Sequence, residues 1–354
     1  MIRKVSFALF DTGETVLGAL VFSTAFPLFI TRHVDTKLYS LLYGLALLCS
    51  FFLALYLGKL ADRLALRKGM FGIFGTLTAL LCASIGVFYG FPQLTLILFL
   101  LMAISHQQAF VFYNSMLLGF ESRGITSGMG VAFGYVGSAI ALLFLAERLK
   151  GAELYIVVAT LFFMLALPSF TFLENPPQTS EVRIRELLKE RRFILLMVSI
   201  LMVTEVANTL IAMMGVYLRE VYSFELAQVY KVIGISALGG VVGGITWGYL
   251  IDRFGPKRIF PAGFFLWSGF LVSLPFVPRE LVLIVGFLAG ISLSHLWTSS
   301  RVLLLETFPQ GQASVRLSFL SLSERIASTA GLSLWALLLL ITGDDFRLSA
   351  SALG

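Results

Sequence analysis

Long apolar runs fill this chain and limit what it can fold into. Eleven of them alternate with short polar segments along the sequence. Each run is long enough to cross a lipid bilayer as a helix, because about 20 residues of helix span the hydrocarbon core. We therefore predict membrane spans near 5–30, 38–60, 69–90, 92–118, 126–146, 153–173, 193–218, 227–251, 259–276, 280–306 and 314–341.

The composition is that of a polytopic membrane protein. Hydrophobic residues make up 58% of the 354 residues and charged residues only 13%, whereas soluble domains have about 25% charged residues. The net charge of +6 comes from basic residues in short loops, so we expect no nucleic-acid partner. Cys49 and Cys82 both lie in apolar runs, so we expect neither a disulfide framework nor a metal site, and no cofactor.

The first run is expected to be a retained span. It contains two carboxylates and continues to Ile30 without a small-residue cleavage site, unlike a signal peptide. Most of the Lys and Arg residues between spans fall on the side of the membrane that holds the N-terminus. Because basic loops stay inside, we predict a cytoplasmic N-terminus, in the inner membrane of a prokaryotic cell.

Three segments of the first half recur in the second half in nearly the same register. The pairs are Gly58-Lys-Leu-Ala-Asp62-Arg63 with Gly248-Tyr-Leu-Ile-Asp252-Arg253, Ile104-Ser105-His106 with Leu293-Ser294-His295, and Asp11-x-x-Glu14-Thr15 with Glu205-x-x-Asn208-Thr209. Their offsets are 190, 189 and 194 residues. Agreement among three pairs indicates an internal repeat in which span two corresponds to span eight, four to ten and one to seven.

The repeat predicts an all-α membrane protein of two six-helix bundles related by an axis along the membrane normal. We place the first bundle at 1–173, a charged linker at 174–192, and the second bundle, with five visible spans, at 193–354. A full second copy would need a twelfth span, which would be starting within 342–354. The sequence leaves two alternatives: truncation before this helix, or a fold in which eleven spans suffice and the C-terminus lies outside.

The paired loop motif resembles that of the major facilitator superfamily. It reads Gly-x-x-x-Asp-Arg followed by basic residues; the second copy matches the family closely, whereas the first has Ala65 where the family usually has Gly. In both copies Asp is expected to cap the start of the next helix and Arg to pair with an acid across helices. Positive-inside charge alone is the alternative explanation. The motif residues that we expect to act in the conformational change are Gly58, Asp62, Arg63, Arg67, Gly248, Asp252 and Arg253.

Shorter motifs resemble the vacuole-effluxer branch of that superfamily. They are Ala8-Leu9-Phe10-Asp11, Phe26-Pro27-Leu28-Phe29, Val111-Phe112-Tyr113-Asn114-Ser115, Ser127-Gly128-Met129-Gly130, Gly134-Tyr135-Val136-Gly137, Ser300-Arg301 and Phe308-Pro309. The resemblance implies a secondary transporter whose substrate site lies between the two bundles. It also implies that spans one, four, seven and ten line that cleft. Glu14 stands where this branch usually carries a neutral residue.

Ionisable residues inside the spans are candidate functional groups, because a charge at bilayer depth is costly without a partner or a wet cavity. Glu14 and Glu205, with Asp11 in support, are expected to bind protons or the cationic part of a substrate. His106 and His295 are candidate proton relays, since imidazole changes charge near neutral pH. Alternatively, the histidines hydrogen-bond across packed helices and Asp11 anchors the helix at the interface.

Other polar residues complete the candidate substrate or proton site. They are Thr15, Gln107, Tyr113, Asn114, Asn208, Arg301, Glu324 and Arg325. Adjacent residues on a helix point about 100° apart, so Glu324 and Arg325 cannot both face one partner. One of them is a candidate for a salt bridge that breaks during alternating access. For Arg301, the alternative to a role in the site is that its side chain extends to the membrane interface. The glycines of the fifth span, 124–137, are interpreted as helix packing that permits rocking.

The leading hypothesis is a proton-coupled secondary active transporter that moves a small polar or zwitterionic, amino-acid-like solute by alternating access. The resemblance to the vacuole-effluxer branch implies efflux, whereas the residues themselves leave the direction open. A second hypothesis within the same fold is transport of a lipid or drug-like amphiphile. A third, from another class, is a non-transporting sensor or a membrane-embedded enzyme. The sequence carries no zinc-protease spacing and no nucleophile elbow, and its longest connection is under twenty residues, so we expect no enzyme. The expected partners are the solute, protons or another coupling ion, and membrane lipids, with the chain as a monomer.

Overall fold

Eleven long helices make up the computed structural model, which describes the backbone of residues 1–353 and all side chains in that range except those of residues 226, 322–330 and 332. We number the long helices α1 to α11. Their bounds are α1 Ile2–Ile30, α2 Thr36–Leu64, α3 Arg67–Val87, α4 Pro92–Gly119, α5 Arg123–Leu145, α6 Gly151–Phe172, α7 Arg191–Tyr222, α8 Leu226–Phe254, α9 Pro256–Phe276, α10 Arg279–Thr307 and α11 Ala313–Thr342.

Ten of these helices, α1 to α10, are long and apolar enough to cross a membrane. They coincide with the first ten predicted spans, which are thereby confirmed as helices of sufficient length and hydropathy. The eleventh prediction, 314–341, falls on α11. Among the residues whose side chains are described, α11 contains a shorter apolar stretch, Ser333–Thr342. A seven-residue helix, Phe346–Ala352, follows it.

Helix α1 is continuous but changes its winding next to the predicted site. Gly18–Ala25 forms a π-helical stretch, and the N–H of Phe26 reaches back to the carbonyl of Val21. Pro27 follows directly. Proline removes one backbone donor and crowds the preceding turn, and a wider turn relieves that crowding. The π-helical stretch ends two residues before Pro27, and a second such stretch, Ala141–Leu145, ends α5.

Helix contacts follow the internal repeat. Within the first six helices α1 packs on α5, α2 on α4, and α3 on α4; within the later ones α7 packs on α11, α8 on α10, and α9 on α10. Between these groups α5 packs on α8 and α2 on α11. Every pair in the first set has its counterpart six helices later, so the repeat found in the sequence is also a repeat of packing. We call α1–α6 the first repeat and α7–α11 the second.

The repeat extends to single hydrogen bonds. The hydroxyl of Thr15 donates to the backbone carbonyl of Asp11, and the hydroxyl of Thr209 donates in the same way to Glu205 at 2.8 Å. A Cβ atom placed on Gly331 of α11 would lie 2.1 Å from the Thr209 hydroxyl. Helices α7 and α11 therefore touch at this level, as α1 and α5 do beside Thr15.

Candidate functional site

The aspartates of the two motif loops each cap a helix of the opposite repeat. Asp62, near the end of α2, accepts hydrogen bonds from the backbone N–H groups of Ser314 and Val315 at 3.0 Å each. These residues begin α11, where unpaired donors and the positive end of the helix dipole favour a carboxylate. The prediction that Asp62 caps the next helix is wrong, because α3 begins without a side-chain cap.

Asp252 repeats this arrangement at the end of α8. Its carboxylate accepts hydrogen bonds from Gly124 at 2.7 Å and Ile125 at 2.9 Å, at the start of α5. Here too the next helix, α9, lacks a side-chain cap, so the same correction applies. The physical reason is common to both: the loop after each aspartate is short, while the N-terminus of a helix in the other repeat lies within hydrogen-bonding distance.

The motif glycines let the two repeats approach closely beside these caps. A Cβ atom on Gly58 of α2 would lie 3.1 Å from the backbone of Ser314. In the equivalent α5–α8 contact, a Cβ atom on Gly248 would lie 2.6 Å from the carbonyl oxygen of Gly124. A larger residue at either glycine would push α11 or α5 away from its capping carboxylate.

Arg67 fixes the first cap and also holds the linker. Its guanidinium is fully buried and pairs with Asp62 at 2.8 Å. It also donates to the hydroxyl of Ser314 and to the backbone carbonyls of Pro176 and Gln178, the latter at 2.6 Å. One arginine therefore connects α2, α11 and the linker.

A second layer of contacts between the repeats centres on Arg301 of α10. Its guanidinium is buried and forms a salt bridge with Asp11 of α1 at 3.2 Å. It also donates to Asn114 of α4 at 2.9 Å, and to both the hydroxyl and the carbonyl of Ser127 in α5 at 2.7 and 2.8 Å. Removing Asp11 would leave the buried guanidinium without a counter-charge, whereas removing a neutral acceptor would leave one donor unsatisfied.

We call Arg301 with its acceptors Asp11, Asn114 and Ser127 the Arg301 lock. Aromatic rings of the first repeat pack against its guanidinium. The Arg301 guanidinium lies 5.5 Å from the Phe7 ring and 6.0 Å from the Tyr113 ring. The two rings stack with centroids 4.2 Å apart, and the Tyr113 hydroxyl donates to the carbonyl of Phe7. Tyr113, a predicted solute ligand, therefore lies in the packed wall behind Asp11.

Glu14 and His106 form a separate pair one turn farther along α1. Glu14 Oε1 lies 3.4 Å from His106 Nε2, with the histidine side chain 3% exposed and the glutamate side chain 22% exposed. The ring of Phe22, from the π-helical stretch, lies 5.0 Å from the imidazole. Gln107 is buried at the next position of α4. The structure thus joins an acid and an imidazole that the sequence predicted separately.

The equivalent groups of the second repeat do not form such a pair. Glu205 is half-buried and accepts a hydrogen bond from the backbone N–H of Gly331. His295 is fully buried, with Nε2 3.1 Å from the carbonyl of Ile259 and its ring against Trp247. Asn208 is half-buried on α7, one turn from Glu205. The two repeats therefore match in helix packing, but their acid and imidazole residues make different contacts.

The remaining predicted residues lie apart from these contacts or outside the described side chains. Arg63 is 3.8 Å from Glu181 of the linker, and Arg253 donates to the hydroxyl of Tyr249. Thr15 is satisfied by its own helix. The side chains of Glu324 and Arg325 lie outside the described residues.

Sequence reasoning missed Arg316 and Glu190, and gave Ser127 no role of its own. Arg316 pairs with Glu190 of the linker at 2.6 Å, and its guanidinium lies over the rings of Phe193 and Phe308. In the sequence Arg316 resembles an ordinary interfacial charge at the start of a span. The only available signal for Ser127 was its place in a motif of the resembled family.

The caps, the Arg301 lock and the Arg316–Glu190 pair all lie toward one end of the bundle. This end holds the start of α1, the linker and the start of α11, and we call it the N-terminal face. Arg301 lies six residues, or about 9 Å of helix, from the end of α10. Glu14 and His106 lie beyond this layer, farther from the N-terminal face.

Comparison with known proteins gives consistent results for sequence and fold. The profile described as Major Facilitator Superfamily matches residues 14–246 and 197–352. An uncharacterized protein of Aquifex aeolicus (strain VF5) is 59% identical over 353 residues, which are 100% of this chain and 93% of that protein.

Solved structures with the same fold include three transporters. A bacterial homologue of the iron transporter ferroportin, in an outward-facing state, has a TM-score of 0.75 at 15% identity, covering 100% of this chain and 96% of that one. The E. coli fucose:proton symporter has 0.76 at 14%, covering 99% and 95%. The human organic anion transporter MFSD10 has 0.77 at 14%, covering 99% and 96%. The family match spans most of the sequence, and the chain belongs to the Major Facilitator Superfamily.

Proposed function

We propose that this protein is a proton-coupled secondary transporter that moves a small polar or zwitterionic, amino-acid-like solute by alternating access. The observation that carries the proposal is the Glu14–His106 pair, an acid and an imidazole 3.4 Å apart inside the membrane-spanning part of the bundle. A carboxylate beside an imidazole places two proton-binding groups next to each other. Ionisable groups that meet between two spanning helices are candidates for proton binding, and this supports the proposal.

The partial exposure of Glu14 supports a role in binding as well as in packing. Its side chain is 22% exposed while His106 is almost fully covered. A carboxylate in this position is accessible to a cationic amino group and to protons. We assign Glu205 a similar role in the second repeat, and we assign His295 a packing role because its ring is enclosed by aromatic side chains.

The contacts at the N-terminal face suggest how access alternates. With the N-terminus in the cytoplasm, as the basic loops favour, the N-terminal face is the cytoplasmic one, and these contacts close it. Opening toward the cytoplasm then requires release of Arg301 from Asp11 and of both aspartate caps. Asp11 and Glu14 are one helical turn apart on α1. A change in the charge of Glu14 therefore alters the electrostatic energy of the Asp11–Arg301 salt bridge.

For the direction of transport we propose efflux across a prokaryotic inner membrane, which the resemblance to the vacuole-effluxer branch supports. The motif residues that carry the resemblance also form the lock: Asp11, Asn114, Ser127 and Arg301. This use of the motif supports placing the chain near that branch.

The test begins with a ligand screen of the purified full chain. Amino acids, sugars, nucleosides and lysolipids are compared by the shift in thermal unfolding, because a ligand that binds the folded state raises its melting temperature. We expect amino acids to give the largest shifts. Stabilisation by lysolipids alone would replace this proposal with amphiphile transport.

The hit is then followed in proteoliposomes under an imposed pH gradient. Glu14→Gln is expected to abolish transport driven by the gradient while leaving solute exchange at equal pH measurable. Glu220→Gln, an exposed carboxylate at the end of α7, is the matched control and should transport normally. Unchanged gradient-driven transport by the Glu14 variant would contradict proton coupling at this site.

A further inference from the structure

The linker between the repeats carries a dense group of basic residues immediately before α7. Residues 183–192 read Arg-Ile-Arg-Glu-Leu-Leu-Lys-Glu-Arg-Arg. A spanning helix begins at Arg191, so this group lies at the level where the N-terminal face meets the membrane. No part of the proposed transport cycle uses these charges.

The acidic residues of this region are all engaged in ion pairs. Glu181 lies 3.8 Å from Arg63, Glu186 lies 3.4 Å from Arg183, and Glu190 lies 2.6 Å from Arg316. None of these carboxylates neutralises the rest of the basic group. The segment therefore presents a net positive surface.

Four basic residues of this segment contribute the positive charge: Arg185, Lys189, Arg191 and Arg192. All four are exposed, and within the described side chains none has an acidic partner within 4.0 Å. Leu188 lies among them with 52% of its surface exposed. Exposed cations with an apolar side chain between them are typical of segments that lie in the membrane interface.

The rest of the linker holds this surface in place. Val182 is 1% exposed and Leu187 is 4% exposed, so both anchor the segment against the protein. Glu190 ties it to the start of α11 through Arg316. The basic surface is therefore presented in a fixed position and not on a free tether, which lowers the entropic cost of binding.

We propose that Arg185, Lys189, Arg191 and Arg192 bind the phosphate headgroups of anionic phospholipids at the N-terminal face. Juxtamembrane clusters of four or more basic residues attract anionic lipids, and arginine pairs with phosphate through two parallel hydrogen bonds. Bound lipid would join the linker to the membrane surface while its other side holds α11.

The test measures thermal unfolding of the full chain by tryptophan fluorescence in neutral detergent. Added phosphatidylglycerol is expected to raise the unfolding midpoint by several degrees more than phosphatidylcholine. In 0.5 M NaCl this difference should largely disappear, because salt screens exposed charges. A lipid preference that ignores salt would overturn the proposal without any variant having to fold.

Two matched variants locate the effect. R185Q/K189Q/R191Q/R192Q should lose most of the phosphatidylglycerol shift, whereas R32Q/K37Q/R148Q/K231Q, which removes four exposed charges at the opposite end of the bundle, should keep it. An equal loss in both variants would show a general charge effect and refute a dedicated surface. A shift of the same size with inorganic phosphate alone would equally refute a lipid site.

Discussion

The two copies of the loop motif make the same hydrogen bonds in very different surroundings. Asp62 caps α11 from a fully buried position with the buried Arg67 beside it. Asp252 caps α5 from an exposed position, and the residue equivalent to Arg67 in the repeat is the exposed Lys257. Equal capping geometry therefore does not mean equal energy. The first copy is a buried contact, and the second is a surface contact that we expect to be weaker.

The linker explains much of this difference. It passes over the first copy, where the backbone N–H of Ser180 donates to the carbonyl of Asp62 and Arg67 donates to Pro176 and Gln178. A connection between the repeats exists once in the chain, so only one cap can be covered by it. Pseudo-symmetry is broken here by topology and not by the motif itself.

The largest effect is expected when the buried cation is removed. Arg67→Ala leaves the Asp62 carboxylate buried without its guanidinium and frees several carbonyls, so unfolding should become easier by about 3 to 5 kcal/mol. Lys257→Ala, its exposed counterpart, should change the free energy of unfolding by no more than about 0.5 kcal/mol. Denaturant titration in detergent measures both. Equal losses would mean that the two copies are energetically equivalent.

The Arg301 lock also distinguishes the two repeats, because the first repeat has no residue equivalent to Arg301. The positions 189 and 190 residues earlier are Phe112 and Val111, which are apolar. Asp11→Ala and Arg301→Ala should each cost about 3 kcal/mol. In a double-mutant cycle the pair should show a coupling of about 1 to 3 kcal/mol.

Asn114→Ala in the same cycle serves as a weaker reference, since it removes a neutral acceptor of Arg301. A coupling near zero between Asp11 and Arg301 would show that the two charges act independently. The contacts at the N-terminal face would then depend on the aspartate caps, the Arg316–Glu190 pair and the neutral acceptors of Arg301.

The helix contacts beside the two caps differ in tightness as well. A Cβ atom on Gly128 of α5 would lie 2.0 Å from the carbonyl oxygen of Gly244, whereas one on Gly58 of α2 would lie 3.1 Å from its nearest neighbour in α11. Gly128→Ala should therefore cost about 1 to 3 kcal/mol through overpacking. Gly58→Ala should cost less. Thermal unfolding compares the two, and the reverse order would contradict the tighter α5–α8 contact.

Sequence reasoning reached the helices and the repeat because both leave local patterns. Apolar runs of spanning length predicted α1 to α10, and matched motifs predicted which helices correspond. Asp11, Asn114 and Arg301 were each singled out as polar residues inside spans. Their mutual contact was not predicted, because α1, α4 and α10 meet only in the folded bundle.

The linker contacts were missed for a different reason. Arg67 binds the linker through backbone carbonyls, which any sequence provides, so no residue pattern marks the contact. The capped helices were misassigned because a capping motif is normally sought in the adjacent sequence. The targets of Asp62 and Asp252 instead lie 252 and 128 residues away.

The smallest effect is expected at the turn that follows each aspartate. Ala65 has φ 52° and ψ 44°, and its counterpart Gly255 has φ 84° and ψ 146°, a region open almost only to glycine. Gly255→Ala should cost about 1 to 2 kcal/mol through backbone strain.

Ala65→Gly relieves a left-handed alanine but adds freedom to the unfolded chain, and these two terms nearly cancel. The free energy of unfolding should therefore change by about 0.5 kcal/mol or less. Thermal unfolding of both variants under identical conditions measures the difference. A large stabilisation by Ala65→Gly would mean that the buried first copy stores strain in its turn. In that case, burial of the first copy would hold a strained turn in place. A small change would instead leave Arg67 and the linker as the source of the first copy's stability.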